Sequence, residues 1–226
     1  MNIERMGLPA RARRHAALAD VARLAVVDAL ALGDRSPGEL QAALDLPSNL
    51  MAHHLKVLEE AGILTRRRSE GDRRRTYLTL TDRAAVDDAP TPVDADRVVF
   101  VCTANSARSQ LAAAMWAGIS DVPGTSAGTA PADRVAPGAV ATAERHDLRL
   151  AGDAPRPFAG LAGDGDLVVA VCDNAYEELG VAVDLHWSVP DPVRAGSDDA
   201  FDAAYDELDR RVTVLASRMG SRSVSR

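Results

Sequence analysis

The residues with the clearest chemical potential lie in one short stretch, VVFVCTANSARSQLAAAMWAG, residues 98–118. An apolar run ends at Cys102, five small or polar residues follow, and Arg108 and Ser109 then open an alanine-rich run. A loop between a strand and the start of a helix gathers backbone N–H groups and favours a bound anion. A cysteine in such a loop is expected to be a thiolate and a nucleophile. The stretch therefore predicts an oxyanion site with a reactive thiol.

Each part of this loop has a predicted task. The planar guanidinium of Arg108 is suited to bind two oxygens of a tetrahedral anion. Ser109 is placed to donate a hydrogen bond to the Cys102 thiolate. None of the intervening side chains is bulky enough to block the anion, so we expect the loop backbone to bind it, through Thr103, Ala104, Asn105, Ser106, Ala107 and Arg108.

The segments around this loop alternate between strand and helix. The pattern predicts buried strands at 97–101 and 167–171, a short strand at 125–128 and a further strand within 184–189. It predicts helices at 109–118, 136–146 and 198–219. This order predicts an open, doubly wound parallel sheet with its site at the carboxyl ends of the strands. The only two cysteines of the chain, Cys102 and Cys172, follow such strand ends.

A candidate acid lies later in the chain, where HWSVPDPVR places Asp191 before Pro192. Thiolate attack on a phosphate-like group needs a proton donor for the departing oxygen, and an aspartate in a late loop is suited to that task. The alternative for Asp191 is a turn-forming residue before proline.

Residues 96–220 resemble the low-molecular-weight protein tyrosine phosphatase fold, and within it most closely the arsenate reductase branch. The resemblance is carried by CTANSARSQLA, TSAGT, PADRVAPGAV, DLVVAVCDNA and HWSVPDP. It implies that Cys102 is the nucleophile, that Arg108 and the loop amides bind the oxyanion, and that Asp191 is the acid. The implied reaction is arsenate reduction, in which a second thiol releases arsenite from a Cys102–arsenic adduct.

The chain departs from the thioredoxin-coupled members of this branch at two positions. It has Ala107 where they have a further cysteine in the loop, and Leu179 where they have the second cysteine of a pair that begins at Cys172. Two routes stay open: Cys172 forms a disulfide with Cys102, or a small external thiol attacks the adduct and Cys172 is a buried strand-end residue. No tightly bound cofactor and no metal site is predicted; mycothiol, glutathione with glutaredoxin, or thioredoxin is the implied external thiol donor.

The first part of the chain predicts helices followed by a hairpin. Apolar spacing predicts a helix over 15–32. Ser36 and Glu39 form a capping box for a second helix, and Ser48 is a candidate cap for a third. Two strand-like runs around the turn SEGD follow, and Thr81 is a candidate cap for a last helix. This order is that of a winged helix-turn-helix.

The sequence LDLPSNLMAHHLKVLEEAGILTRRRSEGDRRRTYLTLT resembles the ArsR family of small bacterial repressors, over about residues 10–88. The resemblance implies that the third helix enters the major groove and the hairpin, or wing, contacts the backbone or minor groove. The side chains implied to face DNA are Ser48, Asn49, Met51, His53, His54 and Lys56 on the helix, and Arg66, Arg67, Arg68, Arg73, Arg74 and Arg75 on the wing.

Two alternatives accompany this DNA-binding prediction. The alternative to DNA contact for the wing arginines is a basic hairpin that is only exposed to solvent. The adjacent His53 and His54 point in different directions on a helix, so we expect one to pack and the other to contact DNA. This domain contains no cysteine, which excludes thiolate sensing of arsenite within it.

Charge and composition divide the chain in two. Residues 1–88 carry 14 basic and 13 acidic side chains, whereas residues 89–226 carry 12 and 20. The segment DDAPTPVDADR between them is typical of a linker. We predict a mainly α winged helix-turn-helix domain at 1–88, a linker at 89–96 and an α/β phosphatase-like domain at 97–226. No stretch is apolar enough for a membrane span or a signal peptide, so a cytoplasmic protein without a membrane partner is expected.

Three functions fit these patterns. The first is an arsenate reductase fused to a regulator of arsenic-resistance genes, the second is an oxyanion sensor without turnover that controls the repressor domain, and the third is a tyrosine phosphatase. Val193 follows the Asp-Pro pair where such phosphatases usually have tyrosines, which disfavours a phosphotyrosine substrate. The expected partners are a DNA operator, an oxyanion and a redox donor. A homodimer through 15–32 and the helix after Thr81 is also expected, because these repressors dimerise through their terminal helices.

Overall fold

The computed structural model describes residues 3–81, 92–150, 152 and 154–219. The chain forms two compact units, one of Met1–Ser69 with Arg73–Ala89 and the other of Glu70–Asp72 with Pro90–Arg226. None of the helices in the described part is both long enough and apolar enough to cross a membrane.

The first unit consists of four helices and a two-stranded hairpin. The elements are α1 (Ile3–Leu18), α2 (Val21–Leu30), α3 (Pro37–Leu44), α4 (Ser48–Glu60), β1 (Leu64–Arg68) and β2 (Thr76–Leu80). The two strands are antiparallel, with Leu64 opposite Leu80 and Arg68 opposite Thr76. Helices α2, α3 and α4 bury an apolar core with the hairpin, to which Leu30, Leu40 and Leu58 contribute. The predicted winged helix-turn-helix is confirmed.

The predicted single helix over 15–32 is wrong. The helix breaks after Leu18 because Asp20 has an extended backbone, and its carboxylate accepts the Arg23 N–H at 3.0 Å to cap a new helix, α2. An aspartate at this position satisfies an N–H group that the first turn of a helix leaves without a partner.

The two other predicted caps in this unit have different outcomes. The capping box before α3 is confirmed, since the Glu39 N–H donates to Ser36 Oγ and the Ser36 N–H donates to the Glu39 carboxylate. Ser48 is not a cap: it is the first residue of α4, Pro47 holds the cap position, and no side chain caps this end.

Two predicted segments lie around residue 90. The helix expected after Thr81 falls outside the described residues. Of the linker predicted at 89–96, the described part belongs to the second unit, where the Val93 N–H donates to the Arg218 carbonyl at 2.8 Å.

The second unit is a parallel sheet with helices between its strands. Its elements are β3 (Arg97–Cys102), α5 (Arg108–Ile119), β4 (Gly124–Gly128), α6 (Pro137–Arg145), β5 (Asp166–Ala170), α7 (Asp173–Leu179), β6 (Leu185–His186), α8 (Pro192–Ala195) and α9 (Asp198–Arg218). The strand order is β4-β3-β5-β6, and all three pairings are parallel. The predicted doubly wound sheet is confirmed; α7 and α8 were not predicted.

Strand β3 lies at the centre of this unit. Its residues 98–101 are fully buried. Strands β4 and β5 pair along its two edges, and helices cover both faces of a parallel sheet. The Phe100 ring packs between Trp116 and Trp187, with centroid distances of 6.0 and 5.8 Å.

The register between β3 and β5 sets where the two cysteines emerge. Val101 pairs with Ala170, and the Val171 N–H donates to the Val101 carbonyl at 2.7 Å. The chain runs from β3 to β4 on one side and returns to β5 on the other, so the order of the strands reverses at β3. Cys102 and Cys172 therefore leave adjacent strands at the switch point, where open α/β sheets bind ligands.

Gly128, the last residue of β4, lets the loop after Cys102 approach the sheet. A Cβ atom there would lie 2.6 Å from the Thr103 carbonyl oxygen and 2.9 Å from the Asn105 nitrogen. Both are backbone atoms, so a side chain at this position would displace the loop.

We predict that Gly128→Ala lowers the free energy of unfolding of the second unit by about 1–3 kcal/mol, because the added methyl overpacks backbone. Denaturant unfolding followed by tryptophan fluorescence measures this, since both tryptophans lie in this unit. Gly118→Ala is the matched control: it lies in α5 with nothing within 4 Å of its Cβ, and we expect no loss of stability. Equal stabilities for the two variants would contradict the prediction.

Candidate functional site

The Cys102 sulfur lies at the end of β3 within a set of short contacts. Ser109 Oγ is 3.1 Å from the sulfur, and the Asn105 backbone N–H donates to the sulfur at 3.2 Å. Asn105 Nδ2 donates to the same Ser109 oxygen at 2.9 Å. Because that oxygen accepts from Asn105, the Ser109 hydroxyl hydrogen is available to Cys102. The geometry agrees with the predicted serine-to-thiolate hydrogen bond.

Asn105 organises the loop through its side chain as well as its backbone. It is fully buried and adopts a left-handed conformation with φ of +48°, which asparagine tolerates better than most residues. Its Oδ1 accepts the Arg156 N–H at 2.9 Å and lies 3.3 Å from Gln110 Nε2. From the sequence, Asn105 was predicted only as part of the anion-binding backbone. An asparagine within a run of small residues was the one feature that could have indicated a structural role for its side chain.

The carbonyl oxygens of the loop point away from its centre. Those of Thr103, Ala104 and Ser106 accept backbone N–H bonds of 2.8–3.0 Å from the segment 130–136. With its carbonyls bound outside, the loop turns N–H groups inward. This arrangement is the backbone nest that binds anions.

Arg108 begins α5 and is buried, with 5% of its surface exposed. Its Nη1 donates to the Val189 carbonyl at 2.9 Å, and its Nη2 lies 3.1 Å from Asp191 Oδ2. Burial lowers the pKa of Arg108, but the electrostatic interactions of its guanidinium with Cys172, Cys102, Asp191 and Glu70 outweigh burial, so the net pKa is raised. Arg108 is a permanent cation beside both sulfurs.

Asp191 lies at this site, as the sequence predicted. It caps α8, where its Oδ1 accepts the Val193 N–H at 3.0 Å while its Oδ2 faces Arg108. A second carboxylate, Glu70 of the second unit, accepts the Asp191 N–H at 3.1 Å and lies 3.5 Å from Arg108 Nη1. Sequence analysis missed Glu70, because nothing local distinguishes it from any other turn glutamate.

Cys172 occupies the cap position of α7, and it is almost fully buried. Its sulfur accepts the Ala175 N–H at 3.4 Å and lies 3.7 Å from Thr103 Oγ1. Burial raises the pKa of the Cys172 thiol and Cys102 raises it further, while Arg108 opposes them. The second cysteine is therefore a protonated thiol at neutral pH, beside the loop of the first.

The structure divides the predicted DNA-facing residues of α4 in two. Met51 and His54 are buried and point into the core of the first unit, so the prediction that they face DNA is wrong. They share the buried stripe of α4 with Leu55 and Leu58, at the spacing of an amphipathic helix. The exposed side chains of α4 include the predicted Ser48, Asn49, His53 and Lys56. Leu50, Ala52 and Glu60, which the sequence did not indicate, are exposed as well.

The wing arginines are mostly at the surface. Arg66, Arg68, Arg73, Arg74 and Arg75 are exposed, and Arg67 is half-buried. Arg66 is bound to the Glu59 carboxylate of α4 through two hydrogen bonds of 2.6 and 3.2 Å. Arg66 is thus held against the helix.

Comparisons with known proteins agree with this division. The model of a helix-turn-helix domain matches residues 18–67, and that of low molecular weight phosphotyrosine protein phosphatase matches residues 97–225. No curated protein matches the chain. The two matches confirm the resemblance to a repressor-type domain followed by a phosphatase-type domain.

Solved structures similar to the chain cover about half of it. An arsenate reductase from Archaeoglobus fulgidus DSM 4304 is 24% identical, with a TM-score of 0.46 over 53% of this chain and 98% of that one. The tyrosine phosphatase Wzb from Escherichia coli K30 is 25% identical, with a TM-score of 0.49 over 56% and 99%. A YwlE arginine phosphatase is 23% identical, with a TM-score of 0.50 over 56% and 97%.

The names of these proteins give different activities, and the likeness does not select one of them. The family match is more specific, because it extends over more than half of the chain and includes Cys102, Arg108 and Asp191. By this match, the chain belongs to the low molecular weight phosphotyrosine protein phosphatase family.

Proposed function

We propose that the second unit is a thiol-dependent arsenate reductase and that the first unit is a DNA-binding regulator joined to it. The observation that carries the proposal is the position of Cys172 beside the Cys102 loop and Arg108. Hydrolysis of a phosphate ester needs one thiolate and a water molecule. Reduction of arsenate needs two electrons, which two thiols supply together when they form a disulfide, so a second thiol is required.

Binding of the oxyanion is assigned to the loop amides and to Arg108. Arsenate has the shape and charge of phosphate, so the same inward N–H groups and guanidinium are suited to both. Val189 and Asp191 hold the guanidinium before any anion arrives. Little reorganisation is then needed during the reaction, which is the condition for strong electrostatic stabilisation.

The first chemical step is attack of the Cys102 thiolate on arsenic. An S–As bond forms, an As–O bond breaks, and the departing oxygen takes a proton to leave as water. Asp191 is the proposed donor of that proton, because its carboxyl group lies beside Arg108 at the site.

The second step transfers two electrons. The Cys172 sulfur, after losing its proton, attacks the Cys102 sulfur; an S–S bond forms, and the electron pair of the S–As bond remains on arsenic, which leaves as arsenite. The raised pKa of Cys172 makes this step faster as pH rises, because only the thiolate attacks. An external thiol then reduces the disulfide. In the alternative route, the external thiol attacks the Cys102 sulfur of the arsenic adduct, and Cys172 is only a buried residue at the end of its strand.

A tyrosine phosphatase is the second candidate, and the family match and the position of Asp191 favour it. The third candidate, an oxyanion sensor without turnover, uses the same loop and needs neither Asp191 nor Cys172.

We predict that the purified chain reduces arsenate to arsenite, that Cys102→Ser abolishes turnover, and that Cys172→Ser lowers it at least tenfold when thioredoxin is the donor. The assay measures arsenite with thioredoxin, with glutaredoxin and glutathione, and with mycoredoxin and mycothiol in parallel. Full activity of Cys172→Ser with a small thiol would assign the second step to that thiol. Hydrolysis of phosphotyrosine without arsenite formation would contradict the reductase and support a phosphatase. Tight binding of arsenate without either reaction would support an oxyanion sensor.

The DNA-binding role rests on the exposed face of α4 and on the wing. Arg68 and Arg73 are exposed cations on or beside the hairpin strands, suited to phosphate contacts, whereas His53 and Asn49 offer hydrogen bonds to base edges.

We predict that Arg68→Ala weakens binding to duplex DNA and reduces the slope of log affinity against log salt by about one, because one phosphate contact is lost. Fluorescence anisotropy with a labelled duplex between 50 and 200 mM salt, about the range in which such contacts dominate, measures the slope. The control is Arg210→Ala, which removes a surface arginine on α9 paired with Glu207. An unchanged slope for Arg68→Ala would show that this arginine makes no contact with a DNA phosphate.

A homodimer is proposed for the regulator, through the helices near the start of the chain. Leu8, Val21 and Leu24 of α1 and α2 are apolar and exposed, with Val21 at 85%. Burial of exposed apolar side chains such as these drives the association of protein subunits.

We predict a dimer by light scattering at micromolar concentration, and a monomer for the double variant Val21→Glu, Leu24→Glu, because buried unpaired charges oppose association. Val181→Glu, at a still more exposed apolar position after α7, serves as control and is expected to leave the dimer intact. A monomeric wild-type chain would contradict the proposal.

A further inference from the structure

A buried acid–base pair lies next to the site among residues to which the mechanism assigns no task. Asp173, the first residue of α7, and His186, the last residue of β6, are each 3% exposed. Asp173 Oδ1 and His186 Nε2 are 2.9 Å apart. An ionised carboxylate only accepts hydrogen bonds, so His186 is the donor.

The surroundings of the pair hold it in one arrangement. The ring of Tyr176 stacks on His186, with centroids 4.1 Å apart and planes within 5°. Burial raises the pKa of Asp173, but hydrogen bonds from His186, the Glu70 N–H and Ser188 outweigh it, and the net pKa is lowered. Asp173 is therefore charged at neutral pH, and its bond to His186 is charge-assisted, which makes it short and directional.

Both partners lie within a few positions of site residues in the sequence. Asp173 directly follows Cys172. His186 begins the segment 186–191, in which the Val189 carbonyl accepts from Arg108 Nη1 and the Asp191 carboxylate faces Nη2. The pair thus joins the start of α7 to the segment that holds the Arg108 guanidinium.

We propose that Asp173 and His186 are positioning residues, which hold Val189 and Asp191 against Arg108. The proposal rests on the proposed function for the role of Asp191 as acid. The cysteine loop has its own hydrogen bonds to the segment 130–136, which do not involve the pair. Loss of the pair should therefore impair turnover and leave anion binding by the loop largely intact.

The test compares His186→Ala with His186→Gln in the full-length chain. Alanine removes the donor, whereas the glutamine amide places an N–H group near the position of the imidazole Nε2. We expect His186→Ala to lower kcat for arsenate by about 10- to 100-fold, the scale of a misplaced acid. The affinity for inorganic phosphate, measured as protection of Cys102 against alkylation, should fall at most about fivefold, and KM should rise by no more than that. The loop amides keep their arrangement, and only the guanidinium of Arg108 is held less well. Glutamine should restore most of kcat.

A second readout does not depend on turnover. The side-chain NMR signals of Arg108 report its bonds to Val189 and Asp191, and they should shift or broaden in His186→Ala and recover in His186→Gln. Arg97, bound to Asp166 and the Leu161 carbonyl, gives the internal reference. Asp184→Asn is the matched control, because it removes an exposed carboxylate bonded to the Val168 N–H just before β6.

The outcomes separate this proposal from the proposed function. Absence of turnover in the wild type would refute the proposed function. The NMR signals of Arg108 would still show whether Asp173 and His186 hold Val189 and Asp191 in position. Unchanged Arg108 signals in His186→Ala, no recovery with glutamine, or an equal loss of kcat and phosphate affinity would overturn the positioning role. If His186→Ala does not fold, Asp173→Asn, which keeps the shape and removes the charge, takes its place with the same expectations.

Discussion

The parallel pairing of β3 with β5 is the constraint on which the rest of the site depends. Residues 98–101 are fully buried, so burial of this apolar strand between its neighbours stabilises the sheet that carries the chemistry. The same register brings Val101 opposite Ala170, and the chain leaves both strands at one edge. The two cysteines, one the proposed nucleophile and the other the proposed second thiol, are 70 positions apart in the sequence, and that pairing places them at the ends of adjacent strands.

The buried guanidinium of Arg108 imposes a second constraint. A charge removed from water is costly unless polar groups surround it. Val189 and Asp191, in the segment that follows the edge strand β6, are the polar groups that bind Arg108. The Asp173–His186 pair is proposed to hold that segment in place. The groups that satisfy the cation thus also hold the guanidinium in place for the proposed oxyanion, so stability and proposed function have the same origin at this site.

Much of this arrangement was predictable from local patterns. The apolar strand before Cys102, the small residues after it and the capping box at Ser36 each express a short-range preference, and each was found in place. The errors also have local causes. Spacing alone did not distinguish one helix over 15–32 from two, because the extended backbone of Asp20 interrupts an otherwise continuous apolar pattern. The family resemblance marked Met51 and His54 as DNA-facing, whereas burial of one helix stripe assigns them to the core.

The sequence by itself determined the two-part organisation, the winged helix-turn-helix, the doubly wound sheet and the identity of the cysteine loop. These depend on composition, periodicity and contiguous motifs. Only the tertiary structure decided which distant groups complete the site: Glu70 carries no local signal, and the motifs that contain Asp173, His186 and Val189 do not show which partners these residues bind. Their partners are chosen by the packing of α7, β6 and the following segment around Arg108. A buried charge requires partners, but it does not specify where along the chain those partners must lie.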